Sequence, residues 1–487
     1  MNEPAPGLEE TRRRLADHDV VAVVLELPMG AATPVAAMRA LGTEASCFLL
    51  ESVMGSGAVA RWSMLGHAPS RVISDSGDGD DPLEVLEREV ASLRGATAAG
   101  VLDAPLLGGA VGFMAYEAAC RYERLPVAEG DPLDLPRQWF AVFDTVAVFD
   151  HANQRLLLSS CVHGDDPEGV EAAHTRALSR IAALRQAIAG AAPQPAPRLA
   201  GLEVDPASYE RVANLTREDF RDRVDRALEY IVAGDMFQVQ VSRRFALPLQ
   251  AHPFDVYVAL RAINPSPYMI YIATPACTLV GASPEMLVQV TGRSVSYHPI
   301  AGTRRRGRTP ADDARMEAEL RTSSKEAAEH LMLIDLGRND LGRVCATGSV
   351  RVTQQMEVER YSHVMHLVSS IEGTLDDGRV PLDALRSCFP AGTVTGAPKI
   401  RAMEIIAELE PEVRGPYAGA IGYVGFGGDL DTAIALRTIV VRAGTAYVQA
   451  AAGIVADSSA HEEALEIDNK VAAQILAVEE ANAWARD

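Results

Sequence analysis

The chain has 487 residues, 48% of them apolar and 23% charged, with a formal net charge of −21. That length and apolar content suffice to bury a large core in one elaborate domain or two, and a charge so negative repels nucleic acid and anionic membrane, so neither partner is expected. An anionic substrate would have to be captured by a metal and a few placed Arg or Lys side chains.

Cys47, Cys120, Cys161, Cys277, Cys345 and Cys388 are scattered without a CxxC spacing, the usage of a reduced, cytoplasmic protein with its thiols packed in a core. The N-terminal MNEPAPGLEETRRRL has no apolar signal core, and no apolar run reaches membrane length. In chain order, the small-residue run GGAVGF (108–113) is echoed by AGAIGY (418–423), two strands expected to pack face to face in a two-sheet architecture. A helical stretch begins near Gly169 and leads into IAGAAPQPAPRLA (188–200), Pro/Ala-rich and nearly uncharged. The resulting division is an N-terminal part at 1–187, a linker at 188–205 and a C-terminal part at 206–487. Thr216 with Asp219 reads as a helix cap, Val224, Leu228 and Ile231 as its apolar stripe, and Gly234 as its stop. From Phe237 to Tyr297, alternating runs such as YMIYI (268–272) and EMLVQV (285–290) predict strands.

The chemistry-bearing residues cluster in the second part. Glu285, in a Ser-Pro-Glu bend, reads either as a turn residue or as a general acid whose pKa a partly apolar pocket raises. Glu326 and Glu329 stand three apart on a helix predicted from about Ser324 to Leu341. Glu463 and Glu466 stand three apart on another, whose apolar stripe is Ile467, Val471, Ile475 and Val478. Each pair points two carboxylates the same way, and four converging carboxylates would suit Mg²⁺ with positions open for water and substrate oxygens. The alternatives are a solvated helix face for either pair and a capping box opened by Ser323 for Glu326. His366, between apolar residues on a predicted strand, reads as a satisfied core histidine or as a general base. Thr393-Val394-Thr395-Gly396-Ala397-Pro398-Lys399 ends a loop and starts a helix, with N–H groups and Lys399 placed where an anion could dock. Arg437, inside the apolar strand run Ile434 to Thr438, demands a partner such as a substrate carboxylate.

PIAGTRRRG (299–307), KEAAEHLMLIDLGRNDLGRV (325–344), the MHLVS segment, the threonine-glycine-proline loop, DTAIALRT (431–438) and EEALEIDNK (462–470) form an ordered set. With them the chain resembles the chorismate-utilising enzymes from about Val20 to Val478, and within them the branch that makes anthranilate. The resemblance implies an α+β fold of two large, mostly antiparallel sheets in a sandwich with helices outside. It also implies that Glu329 and Glu466 are the principal Mg²⁺ ligands, supported by Glu326 and Glu463, with Lys470 neutralising charge beside Glu466. Glu285 would protonate the departing C4 hydroxyl of chorismate, and His366 would be the base near C2. Tyr417, Arg437 and the backbone at Gly453 would cradle the enolpyruvyl carboxylate, and Thr393 would line the ring site.

Two positions separate sister reactions. Relatives that add water to chorismate carry a lysine base where this chain has Gln238, and many that make the 4-amino isomer carry a nucleophilic lysine where it has Ala301. Leu50 and Ser52, with Pro267, Tyr268 and Met269, resemble the two segments lining a feedback site for tryptophan, and Arg61-Trp62-Ser63 resembles a further family segment. No cysteine sits in a glutaminase elbow, so the expected nitrogen source is ammonia from solution or from a separate glutamine amidotransferase subunit. The alternatives are a synthase that stops at aminodeoxyisochorismate or makes the 4-amino isomer, and a tryptophan-binding regulatory protein with a decayed site. The complete set of Glu285, Glu326, Glu329, His366, Arg437, Glu463 and Glu466 argues against decay.

Overall fold

The β-branched and small-residue runs fold into two sheets of twelve and ten strands. The structure is a computed structural model, and it describes residues 3–44, 46–53, 61–75, 80–96, 104–192, 197–360 and 364–486. Among the described residues every strand pair is antiparallel except Val20–Pro28 with Gly95–Ala96, so the mostly antiparallel two-sheet expectation is met.

Both sheets draw strands from either side of the 188–205 segment. In the larger sheet Cys47–Glu51 pairs with Tyr268–Ala273, and in the smaller one Gly109–Met114 pairs with Ala420–Gly425. Between the sheets lies an apolar layer in which Phe48 of the larger meets Phe143 of the smaller edge to face, ring centroids 4.8 Å apart. The opposite faces are covered by helices, including Val170–Ala189, Pro253–Ile263 and Ala460–Trp484. Strands such as Tyr268–Ala273 are therefore buried on both faces. Among the described residues no helix is long and apolar enough to cross a membrane.

The echoed glycine strands are edge-to-edge neighbours rather than facing layers, with Gly112 opposite Gly422. Facing sheets sit roughly 10 Å apart and need side chains to fill the gap, which glycine lacks. What these glycines permit is tight strand pairing: a Cβ at Gly112 would strike the Trp139 carbonyl and one at Gly422 the Asp431 carbonyl. The helix expected at Thr216 forms over Arg217–Ala233, with the Thr216–Asp219 capping box and left-handed Gly234 in place.

Candidate active site

Ser283 closes a strand of the larger sheet and Met286 opens one of the smaller, so Glu285 sits where the chain crosses between layers. The Ser283 hydroxyl donates to the Ile434 carbonyl at 2.6 Å, and the Ile434 N–H donates to the Glu285 carbonyl at 3.1 Å. These bonds fix the bend against the Leu430–Ile434 strand. The Glu285 side chain is buried, and burial pushes its pKa up to about 8, against opposing contributions from the Thr393 hydroxyl and the backbone at Ile300. At neutral pH the group therefore carries its proton, which sets it apart from an ordinary turn carboxylate.

His366 lies on the Val364–Thr374 strand, opposite Thr303 of Ile300–Arg305. Its Nδ1 is 3.1 Å from the Gly302 carbonyl and 3.0 Å from the Thr303 hydroxyl. A carbonyl can only accept, so Nδ1 carries the hydrogen and the imidazole lone pair is on Nε2. Burial lowers the pKa to about 4, aided by the positive charge of Arg437 and opposed by the Gly302 carbonyl. The ring is neutral across the physiological range, and its coupling to Arg437 brings two residues 71 positions apart into one site.

Arg437 corrects one expectation. It does not lie inside a strand but in the bend between Leu430–Ile434 and Thr438–Arg442, at φ +47°. A long side chain rarely adopts this left-handed conformation, and a functional site is where such strain concentrates. The guanidinium is largely buried, which lowers its pKa, and among the described residues no carboxylate pairs with it. Gln238 Oε1 is buried without a hydrogen-bond partner, and Thr393 Oγ1 meets only the buried Glu285 carboxyl. An unpartnered buried group costs about 1–3 kcal/mol unless a ligand or water completes it.

The Gln238–Pro248 strand pairs with Thr445–Ile454, placing Gln240 opposite Gly453. A Cβ at Gly453 would come within 2.7 Å of the Gln240 amide nitrogen and 2.9 Å of that of Gln238, so a larger residue there would displace these two amides. Tyr417 is buried beside the Ala451 backbone, two residues before Gly453 on the same strand. Lys470 Nζ donates to the Ala451 carbonyl at 2.9 Å and pairs with Glu466 Oε1 at 2.6 Å. Lys399 is engaged by Asp340 at 2.9 Å, away from an anion-docking role.

The carboxylate pairs sit on the Ser324–Gly342 and Ala460–Trp484 helices. Ser323 caps the first helix by accepting the Glu326 N–H at 3.3 Å. The Glu326 carboxylate meets Arg304 Nη1 at 2.9 Å. Glu463 is buried, whereas Glu466 is half-exposed against Lys470. Among the described residues no three acidic, His or Cys side chains are gathered closely enough to hold an ion as they stand. The donor chemistry nonetheless fits a hard cation, since all four are carboxylates and two of them already attract a cationic side chain.

The two segments picked out for an effector are neighbours. Leu50 pairs with Ile270 and Glu51 with Met269, while the Val53 N–H donates to the Ser266 carbonyl at 3.4 Å beside Pro267. The Ser52 N–H donates to the Trp62 carbonyl at 2.9 Å. Glu51 is buried and accepts from Tyr257 Oη at 2.5 Å, Arg261 Nε at 2.8 Å and Ser63 Oγ at 3.1 Å, a network that local spacing did not disclose. Arg61 pairs with Asp150 at 2.9 Å and stacks on Trp62.

A buried carboxyl that carries its proton, and a neutral imidazole beside a largely buried guanidinium that pairs with no carboxylate among the described residues, are the parts of an acid–base enzyme acting on a small carboxylate. The family model for chorismate binding enzymes matches residues 46–476, and the chain belongs to that family. It is 49% identical to anthranilate synthase component 1 of Streptomyces coelicolor, with 96% of this chain and 91% of that protein covered. With the protein of the same name from Thermus thermophilus the identity is 46%, over 93% and 96% of the two chains. Among solved structures, anthranilate synthase component I of Streptococcus pneumoniae matches with a TM-score of 0.74 at 36% identity, covering 86% of this chain and 93% of that one. The menaquinone-specific isochorismate synthase of Escherichia coli matches in fold alone, with a TM-score of 0.71 at 18% identity over 97% and 98% of the chains.

Proposed function

We propose that this chain is the chorismate-aminating component of an anthranilate synthase: it adds ammonia to chorismate and eliminates pyruvate. The observation that carries the reading is the pairing of a proton-bearing Glu285 with a neutral His366 beside Arg437. Chorismate and ammonia have the atoms of anthranilate, pyruvate and water. The ammonia nitrogen bonds to C2 of the ring, the double bonds shift, and the C4–O bond breaks as Glu285 delivers a proton, so hydroxide never has to leave as an anion; the C2 ammonium then gives up one proton, which restores the neutral Glu285 carboxyl. His366 Nε2 then takes the C2 proton. Those electrons form the aromatic ring as the C3–O bond breaks, and the released enolpyruvate takes up a proton to become pyruvate. Arg437, with Tyr417 and the open backbone at Gly453, holds the enolpyruvyl carboxylate, and Thr393 and Gln238 complete polar contacts to the ring.

Glu326, Glu329, Glu463 and Glu466 would hold Mg²⁺, which when bound withdraws electrons through the ring carboxylate. Gln238 is a neutral amide, unable to act as the base that activates water, and this supports amination over hydroxylation. The relatives' name, component 1, supports a second component, read here as a glutamine amidotransferase subunit supplying ammonia in the cytoplasm. Tryptophan, bound by Leu50, Ser52, Pro267, Tyr268 and Met269, would be the feedback inhibitor. The test is product analysis: the purified chain with chorismate, Mg²⁺ and an ammonium salt at mildly alkaline pH should yield anthranilate and pyruvate in equal amounts. Isochorismate, or an aminated product that retains its enolpyruvyl group, would refute the reading.

A further inference from the structure

Arg414 stands in the sequence as an unremarked charge in the run PEVRGPY, and in the fold it is one of the most completely buried side chains of the molecule, 1% exposed. Its guanidinium makes a two-pronged ion pair with Glu410, Nε to Oε2 at 2.9 Å and Nη2 to Oε1 at 2.7 Å. The remaining donors reach outward. Nη1 donates to the Val394 carbonyl at 2.7 Å and Nη2 to the Gln240 carbonyl at 2.8 Å. The plane lies over the Tyr116 ring, 4.6 Å from its centroid, and 5.9 Å from that of Tyr417. Glu410 extends the network by accepting the Ser242 N–H at 2.8 Å. From below, the Glu117 carboxyl, whose pKa burial raises to about 7, accepts the N–H groups of Arg414 and Gly415 at 2.7 and 3.0 Å.

The bonded groups border the site. Val394 follows Thr393; Gln240 lies opposite Gly453 and two residues after Gln238; Tyr417 follows Arg414 by three. One planar fork thus ties the threonine loop, the glutamine strand and the tyrosine turn together, adding to the short ladder in which Gln238 and Val239 pair with Ala397 and Gly396. A buried ion pair is weak evidence for stability, because desolvation offsets most of its attraction, and its best-attested use is to specify an arrangement. We propose that Arg414, held by Glu410, is a positioning residue of the chorismate site, setting the gap between Thr393 and the Gln238–Gly453 wall. This rests on the reading under Proposed function. Arg414 touches no reacting atom in that reading.

The experiment compares the full-length chain with Arg414→Lys, which keeps the charge but replaces a rigid fork by a point donor unable to reach all three acceptors. Glu410→Gln is the second variant, keeping a hydrogen-bonding shape while removing the charge that orients the fork. Steady-state constants for chorismate are measured with ammonium salt, alongside hydrogen exchange read by mass spectrometry over residues 391–398 and 238–243. Misplacement by an ångström or so gives an expected loss of about a hundredfold in kcat/KM, with kcat reduced as well as KM raised. Faster exchange should be confined to those two segments and the melting should stay cooperative. Arg414→Lys with both constants within twofold of the parent's would overturn the proposal. So would faster exchange throughout both sheets, which would make Arg414 a general folding residue; in that case Glu410→Gln, with local exchange and the same kinetic loss, would restore it. An unmodified chain that does not turn over chorismate would end the functional reading instead, and the exchange data would still judge whether Arg414 sets the loop against the strand.

Discussion

Tyr268 Oη donates to Asp431 Oδ1 at 3.1 Å, and this bond ties the strand proposed to face tryptophan to the Leu430–Ile434 strand that leads into the Arg437 bend. The two strands belong to different sheets, and Gln289 Nε2 holds the other carboxylate oxygen at 2.9 Å. Burial raises the Asp431 pKa to about 6, against these two hydrogen bonds. An occupant that moves Tyr268 therefore changes the environment of a buried acid on the Leu430–Ile434 strand, which also anchors the Glu285 bend. Coupling between sites must pass through such a differential contact.

Tyr268→Phe keeps the ring and removes the bond, so tryptophan should still bind while inhibiting less. A lost hydrogen bond to a buried acid corresponds to about 1 kcal/mol, or roughly a fivefold rise in the inhibition constant. Calorimetry for binding and initial rates for inhibition separate the two effects. Equal inhibition constants for variant and parent would rule out this route of coupling.

With Glu285 as the proposed acid and His366 as the proposed base, these two groups would set the pH dependence. The acid works while protonated, below its pKa of about 8, and the base works while neutral, above its pKa of about 4. At constant free ammonia, kcat/KM for chorismate should form a plateau between these limits. The stability consequence follows from the raised acid: the folded chain holds the Glu285 proton more tightly than the unfolded chain. Its contribution is complete below about pH 4.5 and is lost as pH climbs to about 8. Glu285→Gln should therefore gain stability relative to the parent across that window while losing about 10²–10⁴-fold in rate. Denaturant midpoints at pH 5 and pH 8.5 check the sign, and a difference that shrinks with rising pH would contradict it.

His366 and Arg437 were legible as candidates because the MHLVS and DTAIALRT motifs carry them, and Glu285 as one reading of a Ser-Pro-Glu bend. Their geometry was not. Arg437 reads as a strand residue since the run around it is apolar, and nothing local announces a left-handed arginine. Nothing in the local sequence marks Arg414, because its acceptors at Val394 and Gln240 lie 20 and 174 residues away. The glycine strands were legible as close-packed, but period alone cannot tell edge pairing from facing layers. Helix caps at Thr216 and Ser323, by contrast, depend on three or four consecutive residues and appear where the residues are.

The metal proposal is checked by chelation and by one substitution on each helix. Removing divalent ions should abolish anthranilate formation, with Mg²⁺ restoring it. Glu329→Gln or Glu466→Gln should raise the half-saturating Mg²⁺ concentration by about 10–100-fold while changing the melting temperature of the metal-free chain little, because the half-exposed Glu466–Lys470 pair contributes little to stability. Full activity in chelated protein would remove Mg²⁺ from the reaction.

His366→Ala separates the two halves of the reaction. In the proposed reaction ammonia addition would rely on Glu285 to protonate the leaving oxygen, whereas aromatisation would need a base at C2, and the His366 ring assigned to it is held by Gly302 and Thr303 through Nδ1. The alanine variant should still consume chorismate, and an aminated, non-aromatic intermediate that keeps its enolpyruvyl group should accumulate, visible by chromatography and mass. Anthranilate fluorescence should fall by about 10²–10⁴-fold. His366→Asn keeps a polar group near Gly302 but has no basic nitrogen, so it should behave like alanine and not like the parent. Anthranilate formed by either variant at the parental rate, with no intermediate, would return His366 to a packing role and leave proton removal to another group.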